Sequence, residues 1–342
     1  MRASIIIVAY NSCGYLKACL DSVLAELGPE DELIVVDNGS TDGSPDLVEG
    51  CYPHVHLIKG KNSGYAGGNN VGAAAARGDF LVFLNPDTVM RPGALSALVE
   101  PFGQHPAVGL TTACIVLMDR PDTVNTCGNT MHYTGLTYCR GMGRPRSHYS
   151  TSGEVDAVSG AAFAIKRTLF AELGGFDEQF FMYVEDSDLS LRARLAGFRC
   201  WYSADSVVLH DYRPSYTPGK AFYLERNRHL MLLKTLSGAT YARALPGLLL
   251  GEVVTGGFMV LKGRRFWAVK PRVYRWLWRQ RSAIRRARTG VIRRKSDREL
   301  LGHLTYHLEI GQLAGRGVAR MAEALLHPAF RAARRLLVWR AA

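Results

Sequence analysis

Four short apolar runs open the chain, and each is closed by a polar or glycine-rich turn. Ser4–Ala9, Leu33–Val36, Val55–Lys59 and Phe80–Leu84 read as strands, the last buried on both faces. Between them, Gly14–Leu27 sets Leu16, Leu20, Val23, Leu24 and Leu27 at helical spacing. A short helix is predicted over Pro45–Glu49 and an alanine-rich one over Val71–Arg77. Strand–helix alternation at this pitch predicts an α/β fold: a doubly wound, mostly parallel sheet with right-handed crossovers.

The turns all fall at the carboxyl edge of that sheet, where open α/β sheets bind ligands. They are Tyr10-Asn11, Asp37-Asn38, the loop Asn62–Asn70 and Asn85-Pro86-Asp87. Pro86 has no N–H for a ladder, so the strand must end there and leave an amide and a carboxylate at the edge. Asp87 is the candidate ligand for a divalent metal. The loop, with Gly67 and Asn69, lacks the G-x-G-x-x-G order of a dinucleotide fingerprint, which argues against hydride transfer. Its glycines still allow backbone to approach a diphosphate ahead of a helix N-terminus.

Further along, a helix is predicted near Gly93–Phe102, and Val108–Met118 and Thr130–Cys139 read as a small antiparallel portion. Ala157–Ile165 and Trp201–Leu209 read as further strands. Phe180, Phe181 and Tyr183 lead into Glu185, Asp186 and Asp188 at the start of a predicted helix, Asp186–Ala196. Carboxylates at a helix N-terminus are ordinary capping. Carboxylates beside aromatic, apolar surface are also where a raised pKa makes a base. His210 ends a strand, and a lone histidine there is more often structural than a ligand.

Charge changes the picture at the far end. The chain carries +12 overall, but 22 Lys and Arg against 5 Asp and Glu lie in Tyr241–Ala342, a net +17. The first 240 residues therefore carry −5, and the asymmetry points to an anionic partner surface. Leu245–Leu261 is apolar, but it holds Glu252 and four glycines and falls short of the ~20 residues of a membrane span. Lys262–Lys295 interleaves arginine with Phe266, Trp267, Tyr274, Trp276 and Trp278, a pattern suited to a membrane interface. Nucleic acid is not expected, because no recognition module accompanies the charge. Seven cysteines without a C-x-x-C pair suit a reducing compartment, and the N-terminus lacks a signal-peptide pattern. A cytoplasmic protein, peripheral on the inner face of the cell membrane, is expected.

The ordered motifs resemble the inverting family-two glycosyltransferases of GT-A fold, especially the rhamnosyltransferase-like branch. The resemblance spans Ser4 to about Ser237. It rests on S-I-I-I-V-A-Y-N (4–11), I-V-V-D-N-G-S-T-D-G-S (34–44), N-S-G-Y-A-G-G-N-N-V-G (62–72) and F-L-N-P-D-T (83–88). G-G-F-D-E-Q-F-F-M-Y-V-E-D-S-D-L-S-L-R (174–192) and V-L-H-D-Y (208–212) complete it. It implies a GT-A domain over 1–237 and a basic, helical, membrane-associating region over 238–342. It further implies a nucleotide-sugar donor and a glycan or polyprenyl-linked acceptor in surface polysaccharide synthesis, with rhamnosyl transfer favoured.

By the same resemblance Asp37 contacts the nucleoside, helped by backbone around Tyr10, Asn11 and Asn62, with Gly67 and Asn69 in the glycine-rich loop. Asp87 and His210 hold Mg2+ or Mn2+. Asp186 is the base, and Glu185 its neighbour and rival. Asn85 stands where the family's D-x-D signature has its first carboxylate; a neutral amide there orients hydroxyls and is a poor metal ligand. The other readings are a non-catalytic sugar-nucleotide-binding scaffold and a nucleic-acid-binding α/β protein.

Overall fold

A computed structural model of the chain describes residues 2–309, 311 and 316–338. Its strands are β1 (Ala3–Ala9), β2 (Glu32–Asp37), β3 (His56–Lys59), β4 (Phe80–Leu84), β5 (Thr88–Met90) and β6 (Val108–Leu117). They continue as β7 (Arg120–Thr126), β8 (Asn129–Met131), β9 (Thr137–Cys139), β10 (Gly153–Val155), β11 (Ala162–Lys166) and β12 (Arg199–His210). The helices begin with α1 (Cys13–Leu24), α2 (Ser44–Cys51), α3 (Gly64–Ala75), α4 (Ala94–Val99), α5 (Pro101–Gln104), α6 (Arg167–Glu172) and α7 (Glu185–Leu195). Beyond the sheet come α8 (Pro218–Thr235), α9 (Gly238–Leu261), α10 (Val269–Arg279), α11 (Arg281–Thr289), α12 (Asp297–His303) and α13 (Arg316–Val338).

The chain divides into two units. The first holds the described residues up to Asn129, with Cys139–Ala193 and Phe198–Arg213; the second holds Thr130–Tyr138, Arg194–Gly197 and the described residues from Pro214 onward. The first unit is a mixed sheet in the order β10-β12-β6-β11-β4-β1-β2-β3, with β5 added to β12 and β7 to β6. The four opening strands pair in parallel, and the central ones are apolar as burial on both faces demands: Ile5 lies opposite Leu33 on one side and Val82 on the other. Successive β1 residues serve opposite layers. Ile5 and Ile7 pack with Leu16, Leu20 and Val23 of α1, and Ile6 with Ile34, Val36 and Ala66. Each such fully buried side chain contributes about 1.5–3 kcal/mol.

Three elements of the first unit differ from the sequence expectation. Val108–Met118 is not simply antiparallel: β6 pairs antiparallel with β11 and β7 but parallel with β12. All ten of its residues are buried, so no alternation marked its neighbours. The strand expected from Ala157 begins only at Ala162, which frees Gly160 and Ala161 as loop. Helix α3 begins at Gly64 rather than Val71 and absorbs most of the glycine-rich loop. Gly64 makes that start: its φ is +75°, and a Cβ there would collide with the Phe181 carbonyl.

Apart from the strands β8 and β9, which pair as a small separate sheet, the second unit is helical. Its apolar stretch forms a helix of 24 residues, capped by Ser237, whose hydroxyl accepts from the Thr240 amide. The reading of Leu245–Leu261 as too short to span is thereby corrected: α9 is long and apolar enough by length and composition. The helix starts seven residues earlier, and Pro246 is carried within it.

Candidate active site

The end of β4 and the start of α7 meet across one short loop. The Asn85 amide donates to the Ala161 carbonyl at 3.0 Å. The neighbouring Gly160 amide donates to Asp186 Oδ2 at 2.8 Å. Two motifs a hundred residues apart in sequence are thus tied to the backbone of adjacent residues, Gly160 and Ala161. Tyr65, on the first turn of α3, fixes the same loop by donating its hydroxyl to the Gly160 carbonyl at 2.6 Å.

Asp186 is half-buried. Its Oδ1 accepts from the Ser187 amide at 2.6 Å and the Ser187 hydroxyl at 3.2 Å; its Oδ2 also faces Asn129 Nδ2 at 3.3 Å. Burial raises its pKa above the ordinary carboxylate value, and the donors from Gly160 and Ser187 hold that rise back. Glu185 is different. It is buried, its Oε2 has no hydrogen-bond partner, and burial followed by repulsion from Asp186 pushes its pKa well up. Asp188 is buried and pairs with Arg192 at 2.7 Å, while Arg192 also donates to the carbonyls of Leu173 and Gly175. The third acid of the cluster therefore anchors α7.

The chain enters α7 under strain. Phe181, Tyr183 and Val184 have φ of 62°, 67° and 72°, each costing of the order of 1–3 kcal/mol outside glycine. For β-branched Val184 this is an outlier. The Phe181 carbonyl is held by the Ala66 amide at 3.2 Å, and Phe180 and Val184 are buried. Packing thus enforces a turn that delivers Glu185 inward and leaves Asp186 half-exposed.

Asp87 and His210 meet because β5 pairs with the end of β12, setting His210 opposite Thr88, and the Asp211 amide donates to the Asp87 carbonyl at 3.0 Å. His210 Nε2 lies 3.4 Å from Asp87 Oδ1, a buried oxygen with no hydrogen-bond partner. On its other side, His210 Nδ1 is 2.8 Å from Asn125 Oδ1, both residues being buried. With Nδ1–H donating to that oxygen, Nε2 turns its lone pair towards the carboxylate. In that tautomer the imidazole and the carboxylate face each other as two acceptors, and imidazole with carboxylate is a donor set for Mn2+ or Mg2+. The residues present fit such an ion. Asn125 was missed in the sequence: it lies in V-N-T-C-G without a motif, and only its contact with His210 reveals it.

The nucleotide-side candidates form a second group. Asn11, with φ of 50°, accepts at Oδ1 from the Thr41 amide at 2.8 Å, and its own amide donates to Ser40 Oγ at 3.0 Å. The Ser40 amide reaches the buried Asp37 carboxylate at 3.3 Å. The Gly60 amide donates to the Asp37 carbonyl at 2.8 Å, and Asn62 Oδ1 accepts from the Gly64 amide at 3.0 Å. Tyr10 stands exposed beside Asn11. Gly67 and Asn69 do not join this group as loop. Both are buried in α3, and Asn69 Nδ2 donates to the Tyr65 carbonyl one turn earlier at 2.9 Å. The Asn85 carbonyl accepts from Thr88 Oγ1 at 2.7 Å, which closes the N-P-D turn.

A mixed, mostly parallel sheet with carboxylates, amides and a histidine gathered on its strand ends is an architecture of GT-A type. The chain belongs to glycosyl transferase family 2, whose model matches residues 4–174, and it is a glycosyltransferase. It is 29% identical over 231 residues to N-acetylglucosaminyl-diphospho-decaprenol L-rhamnosyltransferase of Mycobacterium tuberculosis, covering 60% of this chain and 75% of that one. It is 26% identical over 259 residues to rhamnosyltransferase WbbL of Escherichia coli, covering 70% and 96%. Among solved structures, S. aureus TarS 1-349 in complex with UDP-GlcNAc superposes with a TM-score of 0.56 at 20% identity, over 98% of this chain and 91% of that one. Mannosyltransferase PcManGT from Pyrobaculum calidifontis, in complex with GDP-Man and Mn2+, gives 0.50 at 16% identity, over 98% and 87%.

Proposed function

We propose that this enzyme transfers a sugar, rhamnose in preference to other hexoses, from a nucleotide donor to a lipid-linked glycan, inverting the anomeric centre. Cell-surface polysaccharide synthesis at the cytoplasmic face of the membrane is its setting. The observation that carries the reading is the Gly160-Ala161 loop, whose two adjacent residues hold Asp186 and the Asn85–Asp87 turn by their backbone. The relatives named as rhamnosyltransferases, one acting on a decaprenol diphosphate, support the donor and acceptor classes.

Asp186 takes the proton of the acceptor hydroxyl as that oxygen attacks the anomeric carbon. The bond to the departing nucleoside diphosphate breaks on the opposite face, which inverts the centre. Asp186 has this role ahead of Glu185, because it is half-exposed and its carboxylate is held by donors, whereas Glu185 is enclosed and favours its neutral form. Asp87 and His210 would hold Mg2+ or Mn2+, oriented by Asn125, and the ion would neutralise charge gathering on the diphosphate. Asp37, with backbone around Tyr10, Asn11 and Asn62, receives the nucleoside. Asn85 orients sugar hydroxyls. Gly67 and Asn69 shape the α3 start.

The test is a panel of nucleotide sugars, scored for thermal shift with Mn2+ and for transfer to a polyprenyl-diphosphate glycan. A response to a nucleoside-diphosphate rhamnose, lost with a chelator and in Asp87→Ala, is expected. Donor binding without turnover on any acceptor would favour the scaffold reading.

A further inference from the structure

We propose that the second unit docks on an anionic membrane leaflet through the outer face of α9, which lies along the headgroup region instead of crossing the bilayer. The proposal deepens the lipid-acceptor reading and rests on it for its purpose, while its test uses no sugar transfer. Leu245, Leu249, Val253 and Val260 recur at helical spacing on one face and are between 45% and 70% exposed. Leu261 follows at 87%. Ala244, Gly247, Leu248, Gly251 and Met259 of the same helix are buried. Arg243 precedes the stripe, and Lys262, Arg264 and Arg265 follow it, all exposed. Trp267 and Trp278 are exposed as well. An apolar stripe flanked by basic side chains and tryptophans complements acyl chains beneath anionic headgroups, and neither a protein partner nor a nucleic acid calls for that combination.

By length α9 can also cross a membrane. What argues against crossing is Glu252, in its middle. Glu252 Oε2 bonds Lys270 Nζ of α10 at 2.6 Å, and its Oε1 meets His229 Nε2 of α8 at 2.8 Å. Arg228 and Tyr274 bond the same carboxylate. Arg228 also pairs with Glu225 at 2.9 Å, inside α8. Two carboxylates and two cations are already neutralised by one another, so the cluster needs no metal. A spanning α9 would have to break this network in hydrocarbon or carry charged α8 and α10 in with it.

The experiment is sedimentation of the purified full chain with preformed vesicles of phosphatidylglycerol and phosphatidylcholine. Expected are binding that weakens as phosphatidylglycerol is withdrawn or salt is raised, and release on dilution into high salt. Leu249→Glu with Val253→Glu should cut the bound fraction about tenfold or more. Both sites are exposed in the free protein, so an unchanged melting temperature and donor binding accompany the loss. Arg264→Gln with Arg265→Gln should flatten the salt dependence. Retention in the pellet through dilution and salt would mean a span and overturn the proposal. So would double-glutamate variants that bind vesicles normally but convert a dimer to a monomer, or binding to duplex DNA in place of vesicles.

Discussion

Replacing Asn125 by leucine should loosen metal binding without touching either metal ligand. Leucine matches asparagine in shape but cannot accept the His210 Nδ1–H bond, now 2.8 Å long between two buried side chains. An orphaned buried donor costs about 1–3 kcal/mol. Loss of an outer partner to a ligating histidine typically costs about 10–100-fold in metal affinity. The two figures agree, because tenfold corresponds to about 1.4 kcal/mol. A 10–100-fold rise in the Mn2+ dissociation constant, read by electron paramagnetic resonance in the presence of nucleoside diphosphate, is therefore expected. Metal-free protein with 15N-labelled histidine supplies the second readout: the wild type should show His210 protonated at Nδ1, and Asn125→Leu a mixture of tautomers. Asn125→Asp, which keeps an acceptor, should restore the single tautomer. An Mn2+ affinity within about twofold of wild type, with the tautomer unmoved, would refute the reasoning.

Asp186→Asn should lower transfer by about 10²–10⁴-fold or more while donor affinity stays near wild type; matched turnover would remove Asp186 as the base. Because burial raises the Asp186 pKa, the rate should fall on the acid side at a pH above the ordinary carboxylate range, and a profile breaking at an ordinary value would contradict the geometry. Glu185→Gln tests the buried neutral acid. A raised pKa means that the fold favours the protonated form, so this stability is full below about pH 4.5 and is lost as pH rises through the elevated pKa. The variant should melt higher than wild type at pH 8 and lose that advantage near pH 4; equal melting at both would count against it. Gly64→Ala combines left-handed backbone with a collision at the Phe181 carbonyl. It should cost about 2 kcal/mol or more in urea unfolding and depress turnover through the α7 entrance, and a neutral result would show that the turn is not over-determined.

Much of this was legible in the chain. Period and polarity determined the parallel strands β1 to β4 and the edge on which Asp37, Asn85 and Asp87 lie, because a strand buried on both faces must be apolar and its end must be polar. The acids at Glu185 and Asp186 stood out for a different reason, because three aromatic residues lead into them at a predicted helix start. Which acid is enclosed was not, since that depends on positive-φ residues at Phe181, Tyr183 and Val184 that no apolar pattern encodes. The glycine-rich loop misled in the opposite direction. Glycine and asparagine read as loop by propensity, yet close packing on β1 and β2 makes 64–75 a helix, and small residues are what allow it. Tertiary structure alone decided the pairing of β5 with β12 that brings His210 to Asp87, the Asn125 contact behind it, and the Gly160-Ala161 loop joining both motifs. All three are contacts between residues dozens to more than a hundred positions apart, and local sequence carries no record of its partner across such a gap. The same holds for Glu252: in sequence it marks a break in an apolar stretch, and in the fold it is the pin that keeps that stretch on α8 and α10.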